Sequence, residues 1–238
     1  MLLRNVYMKI TSSFAVLFLV LAACSGTTEP NTPLKAEAKD YVLAGGVGTE
    51  LVFLQTRTDI DTNGVKKVSP SDTVFWNVIA RDAVHPVGGS SVVVYEKFVR
   101  AGATTPYGGD TSYFSSTSNG IAYYRGYVDL DAQFLLKNPL SAGASWIDTS
   151  MKSGAMTKLT IESVGVTIPT TLRQFTGIRT QKQDSAMINS IHFLEKVSYF
   201  YAPEVMLPRK EEVVENTYSS GKKDTRTTVM DLIRYTKK

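Results

Sequence analysis

The chain has 238 residues, 43% of them hydrophobic, 10% aromatic and 20% charged, with a net charge of +4 and one cysteine. A lone cysteine excludes an internal disulfide and a multi-thiolate metal centre. Lysine and arginine form no cluster interleaved with aromatics, which argues against nucleic acid as a partner.

Residues 1–23 have the order of a secretory leader: Arg4 and Lys9 near the start, an apolar stretch Phe14 to Leu21, then Ala22 and Ala23. The stretch is shorter than the roughly 20 residues that span a bilayer. Leu21-Ala22-Ala23-Cys24 resembles the lipobox of bacterial lipoproteins. The resemblance implies cleavage before Cys24, a diacylglycerylated thiol, and a mature chain held to a membrane by lipid. Two or more acyl chains are what stable anchoring requires. Ser25, rather than aspartate, after the cysteine implies the outer membrane of the cell envelope. Removing the leader's two cations, Arg4 and Lys9, leaves +2.

Residues 24–40 are polar, with Pro30 and Pro33 and few large apolar side chains, and read as a flexible tether. A short helix within 34–43 is compatible with the composition. "AGGVG" at 44–48 lacks the third glycine of a dinucleotide loop and reads as a flexible entry to the first strand.

Residues 41–238 are one domain of short apolar-alternating runs separated by Gly, Pro, Ser, Asn and Asp. Strands are predicted at 51–58, 73–80, 91–99, 121–128, 158–168, 172–180, 191–201, 213–218 and 227–235. Ile191, Phe193, Val197, Tyr199 and Tyr201 fall on one face of their strand, with His192, Lys196 and Ser198 on the other. At 158–168 the apolar phase changes from Leu159 and Ile161 to Val164, Val166 and Ile168, which predicts a bulge near Ser163. No long period of 3.6 occurs. The fold class is all-β: a single antiparallel, curved sheet or half-open β-barrel with few helices.

Several patterns bear on chemistry. Asp59, Asp61, Asn63 and Gly64 match the first half of a calcium loop, but its twelfth position is Pro70, and Lys66 and Lys67 add positive charge. A type I′ hairpin turn at Asn63-Gly64 is the preferred reading. His85 and His192 lack metal-ligand spacing and read as surface residues. No G-x-S-x-G elbow appears, no catalytic residue is assigned, and no cofactor is implied. Tyr107, Tyr113, Tyr123, Tyr124 and Tyr127 lie among Ser, Gly and Asn, the composition of adaptable binding surfaces, and are the candidate ligand-binding residues.

The stretches Asn138–Trp146, Val166–Thr180 and Val197–Val214 together resemble a group of secreted bacterial β-proteins and lipoproteins with PLxxGxSW-like and YYAPGVG-like segments. The resemblance implies a curved sheet or half-open barrel related in shape to lipoprotein carriers. This chain departs from the group at Glu204 and Met206, where glycines are usual, and at Pro208. "LPRKEE", 207–212, reads as an exposed connection. The function expected is a non-catalytic binding or interaction module for an apolar small molecule or an envelope protein. The alternative is an envelope hydrolase with His85 or His192 brought beside a carboxylate and a serine by the fold.

Overall fold

The computed structural model describes residues 34–35, 37–128, 131–149 and 156–238. Cys24 and the leader lie outside them. After a 3₁₀ turn, Ala38–Tyr41, come β1 (Glu50–Ile60), β2 (Lys66–Val68), β3 (Asp72–His85), β4 (Gly89–Val99), β5 (Tyr107–Thr117), β6 (Gly120–Tyr124) and β7 (Gln133–Lys137). Then follow β8 (Ser145–Thr149), β9 (Met156–Pro169), β10 (Gln174–Ile188), β11 (Ile191–Ala202), β12 (Met206–Thr217) and β13 (Lys223–Thr236).

The strands form one 13-stranded sheet in the order β7-β6-β5-β4-β3-β1-β13-β12-β11-β10-β9-β8, with β2 paired to β1. Two meanders, β3 to β7 and β8 to β13, are therefore joined by β1, which lies between β3 and β13. The expected antiparallel half-open barrel is what forms. Its edges β7 and β8 meet through a side chain: Trp146 of β8 donates its indole N–H to the Phe134 carbonyl of β7 at 3.0 Å. Right-handed strand twist curls a sheet of this size until its inner face covers itself.

Registers show the inner face. Phe53 lies between Val74 and Leu232, Leu51 beside Trp76, and Val78 beside Val94. Leu51, Phe53, Val74 and Leu232 are fully buried. The end of the barrel from which β1 starts is closed by the 3₁₀ turn and the residues after it. Ala38, Tyr41 and Leu43 are fully buried. Asn138 Oδ1 accepts the Ala38 N–H at 3.0 Å, Arg81 donates to the Leu43 carbonyl at 2.5 Å, and Ala44 N donates to the Glu204 carbonyl at 2.8 Å. The folded unit thus begins before residue 41, and residues 38–44 serve as an end cap.

Several expectations are corrected. The Asn63-Gly64 turn forms, but only Gly64 has positive φ, at 80°. It is a type I turn closed by a left-handed glycine, not type I′. The sequence pattern gives no strand at β2, β5, β7 or β8. The 207–212 stretch belongs to strand β12, with Leu207 and Pro208 buried. Pro208 fits because its position precedes the β13 ladder, which starts at Arg209, and lies in the irregular register between Phe200 and Ala202. At the β11–β12 turn, Glu204 and Met206 take φ of 73° and 60°, so the glycine-like conformation is kept without glycine. The bulge expected near Ser163 is present: β9 loses register on either side of Ser163, with Gly165 at φ 77°.

Candidate functional site

The barrel encloses a cavity of about 440 Å³ lined from nine strands. Alternation delivers the lining. Trp76 of β3, Val94, Glu96 and Phe98 of β4, Ser112 and Phe114 of β5, and Tyr123 of β6 share the inner face. Tyr199, Lys210, Glu212, Thr228 and Met230 supply the facing wall from β11 to β13. Trp76, Phe114 and Tyr123 run on as one aromatic surface, with ring centroids 5.9 and 5.4 Å apart.

Charged groups interrupt these apolar walls. Glu96 Oε2 accepts the Trp76 indole N–H, and no cation lies within ion-pair distance of Glu96 among the described residues. Burial is the main reason its carboxyl stands above the ordinary value. The Trp76 hydrogen bond, Lys210 and Arg125 pull it down, and Asp110 adds to the rise. Lys210 pairs with Glu212 at 3.0 Å and places its ammonium 5.9 Å from the Tyr199 ring centroid. Burial pulls Lys210 down, but Tyr199, Glu212 and Glu195 together outweigh it and raise it. Lys182 is held by Asp184 at 2.7 Å and Glu195 at 3.2 Å. Burial opposes its charge, yet those carboxylates push it up to about 12. Burial also raises Tyr123 and Tyr199, so both phenols stay protonated donors. The lumen therefore offers aromatic faces, hydroxyl groups and a half-buried carboxyl with one oxygen left open.

The five candidate tyrosines are not one site. Tyr123 lines the lumen. Tyr113, Tyr124 and Tyr127 surround His85 on the opposite face of the sheet, at 5.2, 4.1 and 6.1 Å. Tyr107 packs on Phe98 at 5.8 Å under the guanidinium of Arg100. His85 is a correction: it is 1% exposed rather than a surface residue. Its Nδ1 accepts the Gly88 N–H at 3.2 Å, so Nε2 carries the proton donated to the Gly126 carbonyl at 3.3 Å. His192 is exposed, as expected. Among the described residues, neither histidine is placed beside both a carboxylate and a serine.

The calcium-like residues are also separated in role. Asp59 is bound by Arg57 at 2.8 Å and by Arg226 at 3.3 Å. Asp61 Oδ1 accepts the N–H groups of Asn63 and Val65 at 2.8 and 2.9 Å, as a turn-forming aspartate does. Asn63 lies in that turn. Among the described residues no group of three or more His, Cys, Asp or Glu is placed to hold a metal ion.

The sequence reading names none of the cavity's charged residues, Glu96, Lys210 and Glu212, although a signal exists. In Val92-x-Val94-x-Glu96-x-Phe98 the glutamate falls in the phase of the apolar face, and a charge in that phase marks a lumen.

The sequence matches no family model and no curated protein. Among solved structures, the chain is similar to one from Bacteroides fragilis named as an exported protein with a YmcC-like fold. Identity is 15%, covering 82% of this chain and 98% of that one, with a TM-score of 0.46. It is also similar to one from Parabacteroides distasonis named as a lipoprotein, at 14% identity, 82% and 97% coverage and a TM-score of 0.42.

Proposed function

We propose that this chain is a lipid-anchored envelope protein whose barrel lumen holds a small amphipathic molecule without transforming it. The observation that carries the reading is the cavity: about 440 Å³, within the size range of small-molecule sites, with apolar and aromatic walls and a few placed polar groups. An entirely apolar ligand, the expectation from sequence, would leave Glu96 buried beside carbon, which costs free energy. A ligand with one polar end and an apolar body satisfies both parts of the lining. The lipobox at Leu21–Cys24 supports anchoring through Cys24, and Ser25 supports the outer membrane.

Native mass spectrometry of the full chain, extracted from membranes in mild detergent, tests the lumen. A stoichiometric small-molecule adduct that survives detergent removal is expected. A uniformly empty protein that also fails to take up added amphiphiles would overturn the reading. Anchoring is tested separately: Cys24→Ser should move the chain from the detergent phase to the aqueous phase on phase separation, and unchanged partitioning would refute it.

A further inference from the structure

Resting on the lumen reading, we infer that the ligand is an organic cation, an amine or quaternary ammonium attached to an apolar body, with its charge seated between Glu96 and the aromatic wall. Among the cavity's ionisable carboxyl and amino groups there are two carboxylates, Glu96 and Glu212, and one ammonium, Lys210. Lys210 and Glu212 neutralise each other at 3.0 Å. Glu96 is left as the unmatched charge, with one oxygen committed to the Trp76 indole N–H and the other open.

Its surroundings suit a cation. The faces of aromatic rings carry negative potential and attract ammonium groups, most strongly where water is excluded. Trp76, Phe114 and Tyr123 form a continuous wall next to Glu96. Across the cavity the chain already seats one ammonium near an aromatic ring, Lys210 at Tyr199. The raised carboxyl of Glu96 is consistent with this: burial disfavours the lone anion, and a bound cation would relieve it. An anionic ligand would meet Glu96 and Glu212 and find its one lumen cation already paired.

The test uses three probes of equal chain length below their micelle concentrations: decyltrimethylammonium, decanoate and decanol. Binding to the full chain is measured by calorimetry. The ammonium probe should bind about tenfold or more tighter than decanoate, a difference of the size expected for one desolvated charge contact. Glu96→Gln, which keeps an acceptor for Trp76, should reduce ammonium binding about tenfold and leave decanol unchanged. Gln133→Lys, at an exposed position on the cavity rim, should weaken ammonium binding in the same sense and serves as a second variant. Equal binding of all three probes would leave the lumen reading standing and overturn the cation. Preference for decanoate, or indifference to both substitutions, would overturn it likewise. Binding of none would overturn the lumen reading and the cation together.

Discussion

Glu96 links the chemistry of the lumen to the stability of the fold. Burial raises its carboxyl, so the folded chain holds that proton more tightly than the unfolded chain. The corresponding stabilisation is complete below the unfolded carboxylate value and is lost as pH rises through the folded one. In thermal melts, Glu96→Gln should be more stable than the parent at pH 8, with the gap closing on acidification to pH 4. A gap independent of pH would contradict the assignment. Lys182 titrates at the other extreme. Its stabilisation is complete below the unfolded value near 10.5 and is lost as pH rises through about 12. Lys182→Met should therefore flatten the alkaline limb of the stability curve across that window. Away from the lumen, Gly88 is set by sterics: a Cβ there would stand 2.4 Å from Tyr124 and 2.5 Å from the Ser115 hydroxyl. Gly88→Ala should cost about 1–3 kcal/mol by denaturant unfolding, as overpacking does. His85, in the same cluster, reads as a surface residue in sequence because "AVHPVGG" gives no sign that β3 continues to it.

At the scale of elements, the β11–β12 turn is the clearest place to gain stability. Glu204 holds a left-handed backbone at φ 73°, and its contact with Arg173 is long, at 3.9 Å. Such a conformation costs a non-glycine residue of order 1 kcal/mol. Glu204→Gly should recover about that much, read as a higher denaturation midpoint with unchanged slope. The seam between β7 and β8 is the reverse case. Trp146→Phe would leave the Phe134 carbonyl without its donor and should cost about 1–2 kcal/mol. Faster amide exchange confined first to these two edge strands is the accompanying signature. Sequence pattern was strongest where strands are long and one face is buried: β1, β4, β9 and β11 were found near their true ends. Even the bulge in β9 could be read from the switch between Ile161 and Val164. The pattern was weakest at β5, whose Gly108, Gly109 and Asp110 are poor strand formers held in place by pairing with β4 and Tyr107 packing on Phe98. It also failed at β12, where Pro208 and the run Arg209 to Glu212 imitate a loop. Those charges sit in a strand because the inner ones, Lys210 and Glu212, find partners inside the barrel.

For the whole molecule, the all-β curved sheet was legible from alternation alone, whereas the site was not. Tyr123 is the one candidate tyrosine that lines the cavity. The others were recognised as aromatic without any means of knowing which face of the sheet each would take. A lumen is made by registers between strands far apart in sequence, and composition near any one residue does not contain them. The pairing of β1 with β13 shows how far apart. Arg234 donates to Glu50 at 2.8 Å across 184 positions, and the ladder runs from Glu50 opposite Thr236 to Ile60 opposite Thr225.

That seam also sets an order in time. The meander β3 to β7 and the meander β8 to β12 can each zip locally, neighbour upon neighbour, while the chain is still emerging. β13 supplies Thr228 and Met230 to the cavity and is the last strand to appear. Closing the seam is the contact of greatest loop length, the kind that slows folding most. Until it closes, β1 and β13 present open edges and the two walls of the cavity are not joined. The lumen is thus completed only when β13 docks on β1, and a chain stalled before Lys223 would have most of its strands and no closed barrel.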